Sequence, residues 1–250
     1  MTTQPASMNR LPSVSAQQWC REFWHRVGTL WLTKSTGTML WIAAFFAAYF
    51  WVLRNPLGEV TVMPLTALDR LVAFRPEAVV LYVSLWVYVS LAPALLKNFR
   101  ELSAYGAATL LMSIAGLGIF LAWPTAVPPF AIDLARNPSM SVLKGVDMAG
   151  NACPSLHVAF AVFSAIWIDR ILREMRSHRA VLALNWLWCV GIVYSTLAIR
   201  QHVVLDVIAG AVLGVVVAVL HLAAQRWVER RGVRGIRGDP ESPPPLAGEG

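Results

Sequence analysis

A chain of 250 residues that is 57% hydrophobic and 14% charged, with a mean hydropathy of +0.56, falls outside the usage of water-soluble globular domains. Its formal charge of +7 does not indicate nucleic acid, because Lys and Arg flank apolar runs instead of gathering into one stripe. Three scattered cysteines, Cys20, Cys153 and Cys189, exclude a disulfide framework and a zinc site, and the eleven tryptophans suit a membrane–water boundary.

In chain order, residues 1–36 form a polar and basic lead, with Arg10, Arg21, Arg26 and Lys34. That lead is too long for the n-region of a cleavable signal peptide, so the first apolar run is expected to remain as a span and the lead to be a cytoplasmic segment. Stretches near twenty residues with few charges place spans near 37–53, 77–96, 105–123, 155–173, 180–199 and 203–225. The run from Met63 to Phe74 is interrupted by Asp69 and Arg70 and reads as a short interfacial helix. Gly210 and Gly214, four apart on the sixth span, read as a small-residue packing face. Residues 228–250 are rich in Gly, Pro, Arg and Glu and are expected to be a disordered cytoplasmic tail. The expectation is an all-α polytopic membrane protein: about six transmembrane helices in one bundle, with the catalytic domain over residues 37–227.

Orientation follows from the cations. Fifteen of the 21 Lys and Arg residues lie in the termini and in the segments near 97–100 and 170–179; the other six are Arg54, Arg70, Arg75, Arg136, Lys144 and Arg200. Short loops rich in cations are retained in the cytoplasm. Both termini are therefore expected there, in a bacterial-type inner membrane, with the loop from Pro124 to Cys153 and the turn around Gln201 facing outward.

Two stretches at that outer boundary stand apart from the apolar background. In Asn151-Ala152-Cys153-Pro154-Ser155-Leu156-His157, Pro154 suits the first helical turn and leaves Ser155 and His157 at the mouth of the fourth span, where helix N-terminal amides can bind an anion. In Arg200-Gln201-His202-Val203-Val204-Leu205-Asp206, His202 and Asp206 are four apart and share one helix face. A carboxylate beside an imidazole fixes its tautomer and stabilises the charged ring, as a nucleophilic or general-base histidine requires. Arg200 is placed to hold a phosphate oxygen. Each histidine alone is compatible with an interfacial polar contact; two on one face, each beside polar or basic groups, favour a site. Ser195 and Thr196 are compatible with simple hydrogen bonds to helix carbonyls.

At these residues the chain resembles the type-2 phosphatidic acid phosphatase superfamily, which also includes vanadium haloperoxidases and the inositol phosphotransferases of sphingolipid synthesis. The phosphatase signature Pro-Ser-Gly-His stands here as Pro154-Ser155-Leu156-His157, whose Leu looks like the inositol phosphotransferase branch. The signature ending in His, three residues and Asp is matched by His202 and Asp206. The resemblance implies that His202 attacks phosphorus to give a phosphohistidine, Asp206 orients it and His157 protonates the departing oxygen, with no metal or other cofactor.

Two departures accompany it. A Lys followed by Arg-Pro, the first phosphatase signature, is replaced by the proline-rich Trp123-Pro124-Thr125-Ala126-Val127-Pro128-Pro129-Phe130, which looks like the phosphotransferase branch, and the Ser-Arg of the third signature is Ser195-Thr196. Arg200, Arg136 and Lys144, with Ser155, are left as the candidate phosphate-binding residues; for Arg136 and Lys144 a solvated loop charge is an equal alternative.

The expected function is a membrane-embedded phosphatase hydrolysing a lipid phosphate or diphosphate at the outer face. Two alternatives stand beside it. A phosphotransferase moving a phospho-head-group to an alcohol shares the first half-reaction, and a non-catalytic membrane lipid-binding protein is the reading the missing first signature favours. The expected partners are a membrane lipid phosphate and the bilayer, without nucleic acid.

Overall fold

The computed structural model describes residues 15–130 and 150–237, with side chains through residue 228. Helix α1 (Ala16–Gly28) opens on a capping box, in which the Ser15 hydroxyl accepts from Gln18 N and Ser15 N donates to the Gln18 side chain. Its Trp19, Phe23 and Val27, at helical spacing, pack against the core, so the basic lead contains an amphipathic helix. Helix α2 (Trp31–Arg54) begins earlier than residue 37, where apolarity alone sets the boundary. The polar first turns are tolerated because Thr36 donates to the Leu32 carbonyl, and the Lys34 ammonium donates to the carbonyls of Arg26 and Ala94 at 2.6 and 2.9 Å.

Helix α3 (Ala67–Leu71) is the short helix expected between Met63 and Phe74, capped by Thr66 with Asp69 in reciprocal contact. The second apolar segment is jointed: a 3-10 turn at Pro76–Ala78 leads into α4 (Val79–Val83) and then α5 (Leu85–Ala94). The joint falls at Ser84, whose hydroxyl donates to the Leu81 carbonyl and competes with the helix ladder. Helix α6 (Phe99–Ala122) starts on Asn98, which accepts from Glu101 N. Three helices follow: α7 (Leu156–Glu174), α8 (Arg179–Ala198) and α9 (Val204–Arg237). Helix α9 continues past residue 227, where the tail was expected to begin; its Glu and Arg residues are good helix formers, and extending an existing helix avoids the cost of nucleation. Residues 238–250 lie outside the described residues.

Five helical segments among the described residues are long and apolar enough to cross a membrane: Trp31–Arg54, Pro76–Ala94, Phe99–Ala122, Arg179–Ala198 and Val204–Val228. The sixth expected span, α7, carries Asp169, Arg170, Arg173 and Glu174 in its last turns. It is the core helix: Val158, Ala159, Ala161, Phe163 and Ala165 are fully buried, and α9, α8 and α5 pack around it. Asn185 of α8 donates to the Ala165 carbonyl and accepts from the Tyr88 hydroxyl of α5, so three helices share one satisfied polar junction. The outside is apolar, since Leu40, Ile114, Leu187, Val190 and Leu220 are all more than half exposed. Such a belt would aggregate in water and suits hydrocarbon; the chain is an all-α polytopic membrane protein.

Helices α7 and α9 approach backbone to backbone, as the small-residue face predicts. A Cβ on Gly210 would strike the Ser155 carbonyl, and one on Gly214 the Ala159 carbonyl. At the same end of the bundle, β1 (Thr61–Val62) and β2 (Thr125–Ala126) pair in parallel, and Thr125 bridges to Asn151. Thr125 also takes Gly150 N and Ala152 N on its carbonyl and Cys153 N on its hydroxyl, fixing the lead into α7. The opposite end is ionic, where Glu174 meets Lys97, Arg170 and Arg26 at 3.1, 3.4 and 3.7 Å.

Candidate active site

The first histidine is set by a helix start. Ser155 is the N-cap of α7, its hydroxyl accepting from Val158 N at 3.3 Å and its own N–H donating to the Asp206 carbonyl at 3.0 Å. Pro154 therefore precedes the cap and is not in the first turn, because a serine hydroxyl satisfies an N-terminal amide that proline cannot. His157 sits in that first turn, half-buried. Its ring stacks on Tyr82 with centroids 4.4 Å apart, Nδ1 is 3.4 Å from the Tyr82 hydroxyl, and Trp86 closes edge-on at 6.4 Å.

The second histidine is set by a helix end. After Ala198 the chain reverses through Arg200 in the left-handed region, φ 61°, and both Gln201 N and His202 N return to the Thr196 carbonyl at 3.0 and 3.1 Å. Glycine ordinarily fills this position; a larger residue costs about 1 kcal/mol or more there. Arg200 offsets it, donating to the carbonyls of Asp69 and Val72 at 3.0 and 2.7 Å while its guanidinium lies 4.8 Å from the Phe130 ring centroid. Beyond the histidine, Val204 N donates to the Asp69 carboxylate at 2.8 Å. Helix α3 thus holds the chain on both sides of His202. Burial alone would raise the Asp69 carboxyl, but the hydrogen bonds from Thr66 and Val204 and the nearby Arg200 charge hold it below the usual carboxylate range.

His202 is 7% exposed, with Nδ1 3.0 Å from the Ala152 carbonyl and 3.6 Å from the Asp206 carboxylate. A carbonyl only accepts, so Nδ1 carries the hydrogen and the lone pair lies on Nε2. Asp206 is fully buried; one oxygen accepts from Val203 N at 2.9 Å, and the other has no hydrogen-bond partner among the described residues. The two imidazoles stand 6.0 Å apart between centroids, on the wall of a cavity of about 660 Å³.

Of the residues singled out in the sequence, His157, His202 and Asp206 come together. Ser155 and Arg200 do not reach the cavity; their polar groups are engaged in capping α7 and anchoring the 200–204 turn. Arg136 and Lys144 lie outside the described residues. Leu156 packs so closely on Gly116 that a Cβ there would collide with it, which gives the leucine a packing reason to replace glycine in the signature. Ser195 and Thr196 bond the carbonyls of Ile192 and Val193. Tyr82, Trp86, Asn151 and Gln201 also line the cavity, and Asp69 positions the turn. Asn151 and Gln201 lie inside the two stretches the sequence set apart and Asp69 stood out as an acid interrupting an apolar run, whereas Tyr82 and Trp86 carried no signal.

A family model described as the PAP2 superfamily matches residues 98–230, just over half of the chain and inclusive of both histidines and Asp206. No curated protein and no solved structure matches it.

Proposed function

Because the chain belongs to the PAP2 superfamily, and so to membrane phosphatase-type lipid phosphate hydrolases in general, we propose that it hydrolyses a lipid phosphate or diphosphate through a phosphohistidine on His202. The supporting observation is the pair itself: an imidazole with Nδ1–H anchored on the Ala152 carbonyl, facing a second imidazole across a cavity. Nε2 of His202 attacks phosphorus and the bond from phosphorus to the lipid-bearing oxygen breaks. His157 gives that oxygen its proton. The positive charge left on the phosphorylated ring is met by the Asp206 carboxylate, whose oxygen lies 3.6 Å from Nδ1. Water then attacks the phosphorus, His157 takes back a proton, and the P–N bond returns its electrons to Nε2. The first N–H groups of α7, beside His157, supply positive potential for the phosphoryl oxygens. The site lies at the cation-poor end of the bundle, which by the retention of cationic loops is the outward face.

Purified protein in detergent, given a panel of lipid phosphates and diphosphates with and without a chelator, tests this. Phosphate release that survives the chelator and is lost in His202→Asn supports the reading. Silence from every lipid, repeated with alcohol acceptors present, leaves a non-catalytic lipid-binding protein as the better account.

A further inference from the structure

The cavity is far longer than two imidazoles and a phosphoryl group require. Its wall follows α2 from Lys34 to Phe50, a stretch of about 25 Å at the helical rise, and meets α6 between Leu102 and Thr109 and again at Phe120. The α2 stretch exceeds the roughly 15 Å of one bilayer leaflet. His157 and His202 stand at one end. Lys34 stands at the other, only 5% exposed, its ammonium donating to two backbone carbonyls that hold it against the wall. Between them the lining is dominated by aromatic and aliphatic side chains such as Phe45, Phe46 and Val89. Two glycines, Gly37 and Gly106, line the end near Lys34 from facing helices, and a Cβ on either would meet nothing within 4 Å.

We propose that this groove binds one extended hydrocarbon chain of the substrate, with the phosphate at the histidines and the chain end toward Lys34, and that the space left by Gly37 and Gly106 sets a preference for long chains. This rests on the phosphatase reading. The occupant is a chain rather than a polar ligand because the wall is mainly aromatic and aliphatic, and the Ser90 and Thr109 hydroxyls on it donate back to carbonyls of their own helices. Its continuity with the histidine pair makes it the substrate's own chain. A short chain fills only the half near the histidines and leaves the Lys34 end unused.

The experiment compares octyl, dodecyl and hexadecyl phosphate as substrates for the wild type, Gly106→Leu and Gly118→Leu. Gly118 is exposed on the outside of α6, also with nothing within 4 Å, and is absent from the groove wall. The wild type and Gly118→Leu are expected to favour hexadecyl over octyl phosphate. In Gly106→Leu that ratio falls about tenfold or more, the equivalent of displacing two buried methylenes. An unchanged ratio in Gly106→Leu, with phosphate still released, overturns the groove and leaves the phosphatase reading standing. If no variant releases phosphate, thermal stabilisation by hexadecylphosphonate decides instead. The groove predicts stabilisation of the wild type and Gly118→Leu but not of Gly106→Leu; equal stabilisation of all three overturns it.

Discussion

The two histidines of the site are held by opposite means. His157 is fixed by packing: it rides in the first turn of α7, whose next residues are fully buried and whose start is pressed against Gly210. His202 is fixed by polar contacts: it follows a left-handed arginine, and the chain around it is tied to α3 by the Arg200 guanidinium and the Asp69 carboxylate. A helix start buried in the core tolerates no change of volume. A turn held by hydrogen bonds tolerates volume but not the loss of a donor or acceptor.

Perturbing each side separately sharpens that contrast. The largest effect is expected from His202→Asn, which removes the nucleophile; phosphate release should fall by at least about 10⁴-fold at unchanged expression and melting temperature. Gly210→Leu should come next and act on both histidines, since it forces α9 away from the Ser155 carbonyl. A loss of about 1–3 kcal/mol or more in stability, with most of the activity, would appear in thermal melts and assays together. Asp206→Asn keeps the fold but weakens support for the charged ring, and kcat should drop by about a hundredfold with KM little changed.

Arg200→Ala separates two roles. As an anchor it should cost about 2 kcal/mol of stability and lower kcat; an unchanged melting temperature with a raised KM would make it a phosphate ligand instead. Asp69→Asn is expected to have the smallest effect, a few-fold in kcat. The lowered carboxyl of Asp69 gives its contribution a definite sign: it is fully present above the ordinary aspartate value and is lost only as pH falls through the still lower folded value. Between about pH 5 and 8 the variant should therefore lower the rate uniformly, with no pH dependence of its own.

The sequence was most informative where a physical period determines structure. The apolar runs locate every membrane-length helix, but His202 lies two residues before α9 begins at Val204, so it meets Asp206 across a helix start and not along the one helix face that the four-residue spacing suggested. Boundaries moved where polar residues found partners that composition does not show, as at Lys34, whose acceptors lie in α1 and α5. Arg200 looked like a phosphate ligand because a cation beside a histidine suggests one; its acceptors are carbonyls more than a hundred residues away, beyond the reach of any local pattern. Tyr82 and Trp86 were hidden for a different reason. Aromatics four apart in an apolar run serve equally as lipid anchors, and only the bundle turns them toward His157.

The central claim is a covalent bond between phosphorus and Nε2 of His202, and trapping it is the most direct test. Wild-type protein is mixed with a lipid phosphate radiolabelled at phosphorus, quenched within a turnover and analysed under acid and base. The mechanism predicts protein-bound label that is lost in acid, survives base, and is absent from His202→Asn. Label on any other residue, or hydrolysis by His202→Asn within about tenfold of the wild-type rate, would contradict it.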